Sequence, residues 1–514
     1  NDGFMHGFRA GAYLANGQFD TTGSIAPNDG QELIGYMPSS ALATILDSNT
    51  NLDFSSPSYA HALSVDATPG TGDLYYNGAW HTWLAGGMAG GGNANGPIGD
   101  NTTNATGGDI FALDITNPGN FSEANAASVV IGDWGPNGSP MPCATNPSTS
   151  CSAALLSNLG NTYGTPIIRR LHDGNWGVIF GNGLNSPTGT AGIYIMEVSA
   201  TGAITFRFLD TGYGPSQDPL RVAPNPGSKN GIAYVSSADL DGDHVTDYVY
   251  AGDRFGNLWR FDLTSNNAAN WAAGTSPIFS TPGGQPITTR VTVTSALSGN
   301  NPGRVMLDFG TGQQLSQTLT SPATYASGTQ TIYGIWDWNM SAWNALGSVQ
   351  YSSLAAPQTI TTAKLVTQTA TDVNVTDSNG NVTGRYRTVT QNKICWAGSA
   401  TCSPGTSNTK FGWQLNLPDS GEQIIYSPTT AYGLFIVNTT IPAANQALSC
   451  SNLPPTGYTM AIAADTGGAP TSSFFATATN NYVSANGAIV AGIGLSAVGT
   501  PSFVSAMTKP YMVN

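Results

Sequence analysis

Short runs of β-branched and aromatic residues, each closed by Gly, Asn, Asp or Pro, recur along the whole of this 514-residue chain and limit its fold more than anything else in it. One theme repeats: a glycine or small residue, an aromatic or aliphatic pair, an acidic or polar residue, then a turn. It stands at residues 3–9, 108–115, 192–198 and 256–263, and more weakly at 332–337, 412–417 and 457–462. Large apolar residues alternating with others suit a strand with one face packed on a neighbouring sheet. The Asn-Gly, Thr-Gly and Asn-Pro pairs that follow are what hairpins require. Long helical periodicity is nearly absent; the best helical stretches are 39–46 and 153–159. Seven copies of one strand theme predict an all-β, modified β-propeller of seven blades with long inserted loops, because radial repetition protects sheet edges. A pair of β-sandwich domains is the alternative architecture. The Thr-, Val- and Asn-rich segment 359–402 reads as an insertion, and 1–514 otherwise as a single propeller domain.

Composition agrees. Only 9% of residues are charged while 40% are apolar and 10% aromatic, the reverse of a disordered chain. The net charge of −14 comes with no cluster of Lys and Arg to follow phosphates, so nucleic acid is excluded as a partner. The same charge disfavours an anionic membrane surface, and no run of 18 apolar residues is present to span a bilayer. Cys143 with Cys151, and Cys395 with Cys402, each enclose a short polar loop, a spacing that suits local disulfides in an oxidising compartment, with free thiols the alternative. Cys450 is left over. The chain opens at Asn1-Asp-Gly-Phe already inside a strand-like pattern, as a trimmed piece of a longer exported protein does.

The strongest chemical signal is Asp239-Leu-Asp-Gly-Asp-His-Val-Thr-Asp247. Asp239, Asp241, Asp243 and Asp247 take positions 1, 3, 5 and 9, and carboxylates this close repel one another unless a cation lies between them. Calcium accepts six to eight hard oxygen ligands; magnesium, the competitor, demands near-ideal octahedral geometry. Val245 at position 7 offers its main-chain carbonyl, and Asp247 closes the predicted site. The match to an EF-hand is partial: His244 stands where glycine is expected, Tyr250 where a glutamate is, and strand-like segments flank the loop. The competing reading is an acidic hairpin turn. Asp66 and Asp73, seven apart in a Gly-rich loop, form a weaker second candidate that also reads as a turn.

Catalytic signatures are missing from the sequence. Five histidines occur without a His-x-x-x-His motif, and there is no Gly-x-Ser-x-Gly. The glycine run 86–92 lacks the Lys-Ser/Thr of a phosphate loop and predicts tight backbone packing instead. Quinone-binding propellers also use calcium but stack their cofactor on a vicinal disulfide, and no two cysteines here are adjacent. The chain is therefore expected not to be an enzyme.

Taken in order, Asn1-Asp-Gly-Phe-Met-His-Gly-Phe, Gln31-Glu-Leu-Ile-Gly-Tyr-Met-Pro-Ser, Trp80-His-Thr-Trp-Leu-Ala-Gly-Gly, Val178-Ile-Phe-Gly-Asn-Gly, the Asp-rich loop, Asp253-Arg-Phe-Gly-Asn-Leu-Trp-Arg-Phe-Asp and Gly412-Trp-Gln-Leu-Asn-Leu-Pro resemble the C-terminal domain of the PilY/PilC family of type IV pilus proteins. The resemblance implies a modified propeller at the end of a larger protein, exported through the periplasm to the outer cell surface and pilus tip. It implies support of pilus assembly, calcium-dependent opposition to retraction, and a part in adhesion and twitching motility. Minor pilins or the pilus tip, and a host-cell surface receptor, are the implied partners. Asp239, Asp241, Asp243, Val245 and Asp247 stand where the family has its Ca2+ ligands. The chain holds no Arg-Gly-Asp, so integrin binding gains no support. A carbohydrate-binding or structural surface propeller, or a quinone-dependent dehydrogenase, are the alternative functions; Trp80, Trp83, Trp336 and Trp338 read as blade core.

Overall fold

The structure is a computed structural model that describes residues 2–42, 55–57, 63–92, 108–144, 149–225, 227–298, 301–315, 322–340, 359–376, 378–398, 402, 408–447, 449–475, 484–485, 487–506 and 509–513. The chain divides into two compact units, residues 1–210 with 266–269, and residues 211–265 with 270–514.

The first unit opens with an antiparallel ribbon of β1 (Met5–Phe8) and β2 (Glu32–Tyr36). A four-stranded meander follows: β3 (Gly70–Tyr76), β4 (Ala79–Gly87), β5 (Ile110–Asp114) and β6 (Val130–Trp134). A second has β7 (Ile167–Arg170), β8 (Trp176–Gly181), β9 (Gly192–Val198) and β10 (Ile204–Asp210). In both, spatial order equals chain order, so every pairing is a hairpin between consecutive strands. The third strands are the most deeply covered, and every residue of β9 is buried. That is why they read as nearly continuous apolar runs. Leu74, Trp83, Ile110, Phe180, Tyr194 and Phe206 belong to one core shared by the two meanders.

The second unit starts with β11 (Ser236–Ala238), β12 (Tyr248–Gly252) and β13 (Asn257–Asp262), and β14 (Ala272–Ala273) and β15 (Phe279–Ser280) both pair with β13. Beyond it come β16 (Thr292–Ser298), β17 (Asn301–Gly310), a small hairpin of β18 (Gln314–Leu315) with β19 (Thr324–Tyr325), and β20 (Thr331–Trp336). A C-terminal hairpin pairs Ser502–Ala506 with Lys509–Val513, and the other strands are β21 (Val366–Thr376), β22 (Val382–Val389), β23 (Gly412–Asn416), β24 (Thr429–Ala431), β25 (Leu434–Asn438), β26 (Gly457–Ala463), β27 (Ser484–Ala485) and β28 (Ala488–Leu495). They join one eleven-stranded sheet in the order β16-β17-β20-β23-β21-β22-β28-β26-β25-β24, with β27 on β28. Its core gathers Phe309, Tyr333, Trp336, Trp413 and Tyr458 with Tyr250 and Leu258 of the preceding sheet.

The repeated theme therefore marks real strands, four of them (β5, β9, β13, β20) third in their meanders, but its copies are not a count of blades. The copies at β20 and β23 are hydrogen-bonded neighbours in one sheet, and the first copy lies in the two-stranded ribbon. The segment read as an insertion supplies β21 and β22. β21 pairs parallel with β23 and antiparallel with β22, and β22 pairs with β28. Helices form at Ser39–Leu42 and Thr149–Asn158; residues 43–46 of the first predicted helix lie outside the described residues. No helix among the described residues is long and apolar enough to cross a membrane.

Glycines 86–92 pack as closely as their sequence predicts: a Cβ on Gly86 would enter the Phe111 ring and one on Gly91 the Ser64 carbonyl. Cys143 is bonded to Cys151 and Cys395 to Cys402, while Cys450 is free and exposed. Trp83, Trp336 and Trp338 are core residues, but Trp80 departs from that expectation at 61% exposed, because its position on β4 faces away from the sheet partner that covers Trp83. One acid pair ties the end of β2 and the helix after it to the β5–β6 hairpin. Asp133 accepts hydrogen bonds from the Tyr36 hydroxyl (2.9 Å), the Ser39 amide (2.7 Å) and the Ser39 hydroxyl (3.0 Å). Beside it, Asp109 is fully buried and accepts from the Ser40 hydroxyl at 2.5 Å. Burial first, and then the Asp133 charge, push the Asp109 carboxyl well above the usual aspartate range.

Candidate metal-binding loop

The Asp-rich stretch connects β11 to β12, two strands in antiparallel register with Ala238 opposite Tyr248. It is built as a chain of aspartate turns, in which a short side chain accepts from backbone amides just ahead of it. Asp239 accepts from Gly242 (2.7 Å) and His244 (2.9 Å), Asp241 from Asp243 (3.2 Å), and Asp243 from Val245 (2.8 Å). Asp247 reaches back to accept from the Leu240 amide at 2.7 Å, and its own amide bonds the Ala238 carbonyl at 2.9 Å. Two residues hold left-handed backbone, Gly242 at φ 82° and His244 at φ 67°. The glycine is adapted to that conformation; the histidine occupies it at a cost of about 1 kcal/mol.

This folding brings three of the four predicted carboxylates together. Ligand oxygens of Asp239, Asp241 and Asp247 all lie within 4.8 Å of one another, with Asp239 and Asp241 exposed and Asp247 buried. Asp243 is outside that group, its carboxylate turned to the Val245 amide. Val245 is half-buried and donates its amide to Asp243. Asp66 and Asp73 join no group of three metal-ligating side chains among the described residues; Asp73 accepts from the Thr82 hydroxyl at 2.7 Å. Three hard oxygen donors with no sulfur or nitrogen fit calcium or magnesium rather than zinc or copper.

The loop is planted on a rigid base. All of β12 is buried. The Tyr250 hydroxyl donates to Asp337 at 2.9 Å, and Arg260 on β13 holds the same carboxylate at 2.8 Å while covering the Tyr248 ring. Burial, then Asp262, pushes the Tyr248 hydroxyl up to about 12. At the far end of β12, fully buried Asp253 accepts from the Trp259 indole (2.9 Å), the Asn257 amide (2.9 Å) and the Asn230 side chain (3.0 Å). Burial raises its carboxyl above the usual range and these donors pull it back. Sequence reading passed over this anchor, although the spacing Asp253-x3-Asn257-x-Trp259 was in view.

Repeated antiparallel meanders, one with an Asp-rich loop between its first two strands, are the architecture of a β-propeller, and comparison with known proteins agrees. The chain belongs to the PilY1 β-propeller domain family, whose model matches residues 1–370. Type IV pilus biogenesis factor PilY1 of Pseudomonas aeruginosa is 28% identical over 440 residues, covering 82% of this chain and 30% of that protein. A PilY1 homologue of Xylella fastidiosa is 28% identical over 349 residues, 66% of this chain and 19% of the relative. The chain thus spans about a third or less of the length of these relatives. The crystal structure of the P. aeruginosa PilY1 C-terminal domain superposes with a TM-score of 0.66 at 23% identity, over 100% of this chain and 89% of that one, which establishes the shared fold.

Proposed function

We propose that this chain is the calcium-responsive propeller module of a type IV pilus biogenesis factor, displayed at the cell surface and pilus tip after export through the periplasm, and not an enzyme. The observation that carries the reading is the convergence of Asp239, Asp241 and Asp247 on one loop of a PilY1-family sheet. Bound calcium would supply the positive charge and oxygen-coordination sites that this all-carboxylate set calls for. The chain's own residues do the rest. Asp247 roots the loop in β12, Asp239 holds the turn at Gly242 and His244, and Asp241 stiffens the tip. Mutual repulsion, about 1 kcal/mol per pair in water and more where solvent is excluded, works against the closed loop until it is neutralised. In this reading Asp243 and the Val245 carbonyl join as the loop tightens. The closed loop presents a fixed surface to minor pilins or the pilus tip, supports assembly and opposes retraction. Adhesion to a host-cell surface receptor and twitching motility follow from that placement.

The test is a calorimetric calcium titration of chelator-treated protein beside Asp247→Ala. One site in the intact chain, lost in the variant together with calcium-dependent piliation, is the expected result. An Asp247→Ala strain that keeps fully calcium-dependent piliation overturns the switch. A second reading, a carbohydrate-binding surface propeller, is favoured by exposed Trp80 (61%) and Tyr75 (46%), their rings 5.4 Å apart with Trp176 5.8 Å from Trp80. Oligosaccharide titration monitored by tryptophan fluorescence distinguishes the two.

A further inference from the structure

Two arginines of the second unit meet an acid. Arg260 pairs with Asp337, and Arg387 with Asp372, Asp419 and Glu422. With 30 acids to 16 basic residues in the chain, such partners are plentiful. Arg254 is different. It is largely buried and lines a cavity of about 260 Å3 together with Pro219, Phe255, Gln313 and Tyr325. Its Nη1 donates to the Lys229 carbonyl at 2.7 Å and its Nε to the Gln313 Oε1 at a long 3.4 Å. Nη2 has no hydrogen-bond partner, and no carboxylate lies within ion-pair distance, among the described residues.

A second donor in the same cavity is also unused. Gln313 is only 8% exposed, and its Nε2 is buried without a hydrogen-bond partner. Turning the amide over does not cure this, because Nε2 would then face the Arg254 N–H. A buried amide donor left unmet is costly. Two donors of one cavity therefore await acceptor oxygens. Asp218, the one acid on the cavity wall, is held by the Leu220 amide (2.8 Å) and the Ser228 amide (2.6 Å) and makes no ion pair with Arg254. Burial pushes the Arg254 guanidinium below the usual arginine range, with only Asp218 raising it.

We propose that this cavity binds a carboxylate carried on a small apolar or aromatic group. The carboxylate oxygens take Arg254 Nη2 and Gln313 Nε2, and the apolar portion lies against Pro219, Phe255 and Tyr325. Arginine's planar fork suits a carboxylate, and the volume falls just short of the roughly 300–1,000 Å3 of pockets for drug-sized ligands, so one residue-sized group fits. The carboxylate has two sources, a free small acid or the C-terminal end of a partner peptide. The site shares no residue with the Asp-rich loop and stands or falls apart from it.

The test titrates the intact chain with N-acetylphenylalanine and with N-acetylphenylalaninamide, then with an Ala-Ala-Phe peptide in free-acid and amidated forms. The free acids should bind at least tenfold more tightly than the amides. Arg254→Gln should weaken acid binding at least tenfold, and Gln313→Leu several-fold. Tighter binding of the peptide acid than of N-acetylphenylalanine assigns the site to a chain terminus; equal binding assigns it to a small acid. Acid and amide binding alike, or neither binding at millimolar concentration, overturns the proposal, and this comparison needs no variant to fold. Unchanged acid affinity in a folded Arg254→Gln protein overturns it equally.

Discussion

Around Arg387 the second unit gathers Asp372, Asp419 and Glu422, with guanidinium bonds of 2.7, 3.2 and 2.7 Å and the Tyr458 ring 3.7 Å below. The stretch 239–247 gathers three carboxylates just as closely but contains no Lys or Arg. In the first group the countercharge is part of the chain: Arg387 and Glu422 are both fully buried, and the cluster ties β22 to β21 and to the loop before β24. In the second, the acids sit mostly in solvent and their spacing is kept by backbone amides alone. The first set of acids brings its own cation; the second brings none, and under the proposed function calcium supplies it.

The sharpest way to break this contrast is to remove the internal cation. Arg387→Met should cost about 3–5 kcal/mol in urea unfolding, because buried acids lose their partner. A loss below about 1 kcal/mol would mean the cluster is not structural. Next in size is the external cation. At a calcium concentration 100 times the dissociation constant, the intact protein should gain about 2.7 kcal/mol, read as a rise in melting temperature, and Asp247→Ala should gain none. Equal gains in both would detach calcium from this loop.

The Asp109–Asp133 pair tests a third solution, in which a proton is the countercharge. An acid whose folded pKa is raised binds protons more strongly folded than unfolded. Its stabilising share is therefore full below the ordinary aspartate value of 3.8 and lost as pH rises through the folded value. Asp109→Asn, which keeps a neutral side chain, should thus be less sensitive to alkaline pH than the intact chain in melts from pH 4 to 9. Identical pH profiles would show that the pair is not proton-linked. The smallest effect expected is at Gly242, where φ is 82° and an added Cβ meets nothing within 4 Å. Gly242→Ala should cost about 1 kcal/mol from backbone conformation alone, in calcium-free unfolding.

The sequence announced the strands because third strands such as β9 are covered on both faces and cannot hide their apolar runs. It announced the acidic loop because Asp239 to Asp247 are neighbours in the chain. It named five ligands where the structure gathers three carboxylates, since alternate positions predict one facing direction only for extended backbone, and left-handed Gly242 and His244 interrupt it. The segment 359–402 reads as inserted because the outer part of its hairpin is exposed and polar, and only pairing with β23 and β28 reveals its two sheet strands. Arg254 with Gln313, and Arg387 with its three acids, were invisible because their members lie far apart in the chain and meet only through sheet topology.

That same topology sets an order of assembly. In the first unit each strand of a meander pairs with the strand next in the chain, so both sheets can close as synthesis proceeds. The eleven-stranded sheet has to wait. β22 pairs Tyr386 with Ile493, and β26 pairs Thr459 with the same Ile493. Until Ala488–Leu495 has been made, the edges of β22 and β26 have no strand between them. One late strand is the keystone of the larger unit, and a chain stopped just short of it would be expected to display both edges to any other unfinished copy.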